Sequence, residues 1–93
     1  MAREAPDLWR LPQEDAPYGA IIAYEVTLHG RCLGVVSKHQ TTSHRKAGRL
    51  IAATFHPERW AATPRGESMR LRDAYMYTRR DAVEWLLRHD RER

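Results

Sequence analysis

Arg31, Lys38, Arg45, Lys46 and Arg49 stand in a stretch, residues 31–50, that contains no aspartate or glutamate and also holds His39 and His44. Cations concentrated in this way suit a polyanion. Each Lys or Arg that meets a phosphate releases condensed counterions and makes binding salt-dependent. The block carries +5 in a chain whose formal net charge is +4, and residues 1–20 set Arg3 and Arg10 against Glu4, Asp7, Glu14 and Asp15. Lys38 and Lys46 are the only lysines among sixteen basic residues, so the rest are arginine. A guanidinium meets phosphate, carboxylate or a guanine edge through two parallel hydrogen bonds. The plainer reading of the same residues is a solvated loop, and a GC-rich coding sequence also favours arginine.

A second chemistry to weigh is metal binding. His29 and Cys32 are separated by two residues, and His39 and His44 supply another pair. Structural zinc sites are anchored by paired ligands on rigid elements, Cys-x-x-Cys above all. No such pair occurs here, and a hairpin turning at His29 leaves His39 far down its second arm, so neither a metal nor a cofactor is expected. Cys32 reads as a small apolar filler, since nothing at fixed spacing couples it to a base. Thr41, Thr42 and Ser43 read as loop-capping hydroxyls. The chain has no phosphate-cradling glycine loop, nucleophile elbow, His-Glu-x-x-His or dinucleotide fingerprint. One sheet with one helix rarely encloses a catalytic cleft, so a non-catalytic protein is expected.

The elements that must position these residues follow from periodicity. Ile22, Tyr24, Val26 and Leu28 alternate with Ala23, Glu25, Thr27 and His29, which is strand period. His29-Gly30 then makes a two-residue turn into a second strand from Arg31 to about Lys38. That loop pairs Leu28 with Arg31, Val26 with Leu33 and Tyr24 with Val35, leaving Glu25, Thr27, Cys32, Gly34 and Val36 on a free face. Residues 40–48 read as a long basic loop. Leu50 to Phe55 fits a strand stopped by His56-Pro57, although its apolar spacing also fits a helix, and Trp60-Ala61-Ala62-Thr63 continues as a strand. Leu71 to Tyr77 reads as another strand. Thr78 followed by Asp81 resembles a capping box, and Ala82, Val83, Leu86 and Leu87 form the apolar stripe of a helix over 78–88 whose basic end frays after Leu87. Tyr24, Val26, Leu33, Val35, Ala82, Val83 and Leu86 are the predicted shared core.

These pieces make an α+β domain, a three- to four-stranded antiparallel sheet packed against one C-terminal helix over residues 21–90. An irregular, acidic, proline-containing arm over 1–20 precedes it, folding back to pin Trp9 or presenting it to a partner. Ninety-three residues suit one domain, 42% hydrophobic and 30% charged residues argue against disorder, and the lone cysteine excludes an internal disulfide. No apolar run reaches the roughly 18 residues of a membrane span and the N-terminus lacks a signal peptide's apolar stretch, so a cytoplasmic protein is expected.

Between Tyr24 and Leu87 the order of elements resembles the AP2-type and integrase amino-terminal DNA-binding domains. The resemblance is carried by Leu33-Gly34-Val35-Val36, by Trp60-Ala61-Ala62, and by Tyr77-Thr78-Arg79-Arg80-Asp81-Ala82-Val83-Glu84-Trp85-Leu86 opening the helix. It implies a sheet whose free face enters the major groove. The same pieces are similar to small uncharacterised proteins of actinobacteria and their phages. Two functions are therefore expected as alternatives. In the first, Arg31, Lys38, Arg45, Lys46 and Arg49 hold phosphates while the free sheet face reads bases. In the second, a phage or mobile-element protein grips a host protein through Trp9, Trp60 and Tyr75, since interface hot spots favour such aromatics.

Overall fold

The computed structural model describes residues 5–67 and 75–92. Strand period and turn chemistry produce β1 (Asp7–Arg10), β2 (Ala20–Leu28), β3 (Arg31–Gln40), β4 (Ser43–Ala47), β5 (Leu50–Phe55) and β6 (Glu58–Pro64), followed by the helix α1 (Arg79–Arg91). An antiparallel sheet runs in the order β1, β2, β3, β6, and β4 with β5 forms a separate two-stranded sheet. The predicted α+β class and sheet-on-helix layout are observed.

The β2–β3 hairpin closes at His29 and Gly30, both at positive φ (53° and 76°), so Leu28 faces Arg31 as expected. Beyond that pair the register departs from the expectation. Thr27 faces Cys32 and Val26 faces Gly34, which leaves Leu33 as the extra residue of a bulge. Val26 therefore does not pair with Leu33, nor Tyr24 with Val35; Tyr24 faces Val36 instead. The core accordingly holds Val26, Leu33, Val36, Ala82 and Leu86, with Leu8, Tyr24, Trp60 and Val83 packed around it. Val36 takes the place predicted for Val35. Gly34, predicted on the free face, lies beneath the helix: a Cβ there would drive into the Thr63 carbonyl oxygen and crowd Leu86.

The helix starts where its cap requires. Thr78 has extended backbone, and its hydroxyl accepts a hydrogen bond from the Asp81 N–H at 3.1 Å. Ala82 and Leu86, one turn apart, are buried on the sheet. Its far end does not fray after Leu87 but continues to Arg91, where Asp90 receives two hydrogen bonds from Arg31 at 2.8 and 2.7 Å.

Residues 1–20 are not wholly irregular. β1 adds an edge strand to β2, placing Leu8 against the core beside Val26, and Gln13–Asp15 forms one 3-10 turn. The strand predicted over 71–77 falls largely outside the described residues. What is described of it, Tyr75 to Tyr77, supplies Met76, which bridges Trp60 through reciprocal backbone bonds of 2.8 and 2.7 Å.

Candidate nucleic-acid interface

No aspartate or glutamate occurs between Glu25 and Glu58, and the fold turns the middle of that stretch into a β-ribbon. Residues 40–48, predicted as a loop, instead continue β3 into β4. The chain turns at Gly48-Arg49 and returns as β5, with Ser43 facing Phe55 and Ala47 facing Leu50. Gly48 at φ 65° followed by Arg49 at negative φ is the pattern of a tight hairpin turn that needs glycine first. The ribbon meets the main sheet at a break. Pro57 has no N–H to donate, and its carbonyl accepts both the Thr41 N–H (2.9 Å) and the Thr41 hydroxyl (2.8 Å). The five residues of β4, paired with the six of β5, carry the ribbon about 17 Å from this break, in a molecule 51 Å in its longest dimension.

Every residue of β4 is exposed, and so is every residue of β5 except Ala53. A bulge at Ala52, between the Arg45–Ala53 and Lys46–Ile51 pairs, sets the side chains at the tip. Cross-strand partners share a face, so Ile51 lies with Lys46 on one side and Leu50 with Ala47 on the other. His44 and Thr54 share a face as well and meet through Nδ1 and Oγ1 at 3.2 Å. The ribbon thus presents Arg45, Lys46 and Arg49 around two exposed aliphatic side chains, Leu50 (76% exposed) and Ile51 (57%). Among the described residues, none of the three cations pairs with a carboxylate.

The five basic residues singled out in the sequence are therefore not one site. Arg45, Lys46 and Arg49 lie together on the ribbon. Lys38 lies near its base, paired with Glu58 at 2.8 Å. Arg31 stands at the opposite end of β3, held by Asp90, whose carboxylate raises the guanidinium pKa above its ordinary value by hydrogen bonding and charge. Sequence reading missed three further arginines at the ribbon's end of the body. Arg59 lies over the Tyr77 ring at 4.5 Å, Arg79 lies over Tyr24 at 5.0 Å, and Arg80 is neighbour to Arg79, with Glu84 at 3.5 Å. Arg79 and Arg80 look like an ordinary solvated helix face in sequence; only the pairing of Met76 with Trp60 brings the helix start to this end.

The sheet face opposite the helix is free only in part: Glu25, Thr27, Cys32 and Val35 are half-buried, and toward the ribbon it is covered. Ala23 and Ser37, directly paired there, are buried, and so is His39. The Ser37 hydroxyl lies 2.7 Å from His39 Nε2, and the His39 and Tyr75 rings sit 6.0 Å apart. Burial lowers the His39 pKa, partly opposed by a hydrogen bond to the Gly19 backbone. A serine against an imidazole is a nucleophile-and-base pair in form, but both side chains are withdrawn from solvent, and the pair reads as a satisfied buried network.

The aromatic set is also divided. Trp9 is 63% exposed on the β1 edge strand, whereas Trp60 is half-buried against the core with its ring 6.3 Å from that of Tyr24, and Tyr75 lies against His39. Trp60 is thus not the exposed anchor predicted, and the three do not form one patch. Among the described residues no three His, Cys, Asp or Glu side chains converge as metal ligands, and no helix is long and apolar enough to cross a membrane. No protein-family model, curated protein or solved structure matches the chain.

Proposed function

We propose that this chain is a non-catalytic module that binds duplex DNA through the β4–β5 ribbon. The observation that carries the reading is the ribbon itself: acid-free, exposed on both faces, with Arg45, Lys46 and Arg49 uncommitted to carboxylates. A two-stranded ribbon is one of the few elements narrow enough to follow a DNA groove. Arg59, beside its base, and Arg79, over Tyr24 at the helix start, extend the cationic surface onto the body, where they would meet flanking phosphates. A partner protein is less well served, because the expected aromatic anchors are split, with Trp9 on an edge strand and Trp60 and Tyr75 half-buried against other rings.

The test is a fluorescence-anisotropy titration of a labelled duplex with the full chain and with Arg45→Glu/Lys46→Glu/Arg49→Glu. The wild type is expected to bind at low salt, with a log–log salt slope of roughly −0.9 for each phosphate contact, and the triple variant to lose that binding while keeping its circular dichroism. Arg31→Ala, which removes a cation already held by Asp90, should leave affinity nearly unchanged. Absence of duplex binding at low salt, or binding indifferent to the triple reversal, would overturn the proposal and return the protein-partner alternative to first place.

A further inference from the structure

Two aliphatic side chains at the outermost point of a cationic ribbon call for an occupant. Leu50 directly follows the Gly48-Arg49 turn, and Ile51 lies beside it on the other face with Lys46. Neither contributes to the core cluster or packs against it, so the body's packing does not account for them. A second copy of the ribbon is a poor cover, since two such tips would bring together six cations with no intervening acid. A nucleic acid supplies the missing complement in both respects, with phosphates for the cations and the faces of stacked bases for the aliphatic groups.

Resting on the DNA-binding reading above, we infer that the ribbon acts as a wedge: Leu50 enters a base step from the minor groove and bends the duplex. The minor groove of relaxed B-DNA is about 6 Å wide, whereas the two backbones of a ribbon alone lie about 4.8 Å apart before any side chain is added. The ribbon therefore fits only if the groove opens. Inserting an apolar side chain unstacks a step and kinks the duplex toward the major groove, which opens the minor groove, so insertion and bending are one event. Arg49 and Lys46, next to Leu50 and Ile51, are placed to meet the phosphates on either side of the opened step. Bound there, the ribbon meets A·T and T·A pairs that show the same acceptors, so it can read little base identity. Its preference is therefore for steps that unstack easily, TA and CA/TG, rather than for a base sequence read edge by edge.

A duplex of about 25 base pairs with a central TA step, labelled at both ends for energy transfer and carrying 2-aminopurine beside that step, separates the outcomes. Binding is followed in parallel by anisotropy. The full chain is expected to raise the 2-aminopurine emission and shorten the end-to-end distance, corresponding to a bend of roughly 20–90°. Leu50→Ser, at an exposed position with no packing to lose, should still bind but lose both signals, and Arg31→Ala should keep both. If the wild type binds without bending or unstacking, or if Leu50→Ser bends the duplex as well as the wild type, the wedge is wrong while the DNA-binding reading stands. If no duplex binds at low salt, both fall together.

Discussion

His39 shows what a single side chain contributes once its surroundings are known. It lies buried on β3 with Ser37 at 2.7 Å, and its burial lowers its pKa below the ordinary imidazole value of 6.5. Above that value the ring is neutral in both folded and unfolded chains, and it adds no pH dependence. As pH falls below it, the unfolded chain takes up the proton first, so stability declines until the folded-state pKa has been passed. Urea unfolding at pH 7.5, 6 and 5 should show this decline in the wild type and a shallower one in His39→Gln. An equal decline in both would assign the effect to other groups. Gly34 makes the complementary point: what matters there is a missing side chain, because the Thr63 backbone and Leu86 occupy the space a Cβ needs.

At the scale of elements, the helix offers two contributions of different size on one segment. Leu86 is buried among Val26, Leu33, Val36 and Ala82, whereas the Thr78 hydroxyl accepts one hydrogen bond from the Asp81 N–H at an exposed helix start. Truncating the first leaves a cavity and removing the second leaves one amide to water. Leu86→Ala should therefore cost about 2–5 kcal/mol, and Thr78→Ala about 0.5–2 kcal/mol, both read from denaturant unfolding. A reversed order would mean that the cap, not the docked face, holds the helix in place. The ribbon is the opposite kind of element. Its strands are joined to the body by backbone continuity and by Thr41 gripping the Pro57 carbonyl, with almost nothing buried along its length.

The molecule as a whole thus divides into a body that carries the stability and a ribbon that carries the charge. No residue from 41 to 57 belongs to the core cluster or packs against it. Replacing residues 42–56 by a short glycine-containing turn between Thr41 and Pro57 should leave the thermal midpoint within a few degrees of the wild type, because a change below about 1 kcal/mol shifts a domain of this size by no more than about 4–8 °C. Duplex binding should be lost in the same variant. A collapse of the midpoint would show that the ribbon stabilises the body, and retained binding would move the interface elsewhere.

The sequence by itself determined what is local. Alternation from Ile22 to Leu28, the two-residue turn at His29-Gly30, the stop at His56-Pro57 and the cap at Thr78 each depend on neighbours a few residues apart, and each is found where expected. The acid-free stretch was equally plain, since charge needs no fold to be counted. What only the tertiary structure decided is pairing and what lies across it. Val35 and Val36 are both β-branched and apolar, so periodicity cannot choose between them. The bulge at Leu33 chooses, and it puts Val36 under Leu86. The basic loop became a ribbon because β4 found β5, a partnership invisible in the polar residues of β4 taken alone. Arg31 was removed from the candidate site by Asp90, 59 residues away in sequence, while Arg79 and Arg80 were brought toward it by Met76 bridging Trp60. Local preferences act through a residue's own backbone and nearest neighbours, whereas register, faces and ion pairs are settled only when distant segments compete for the same space.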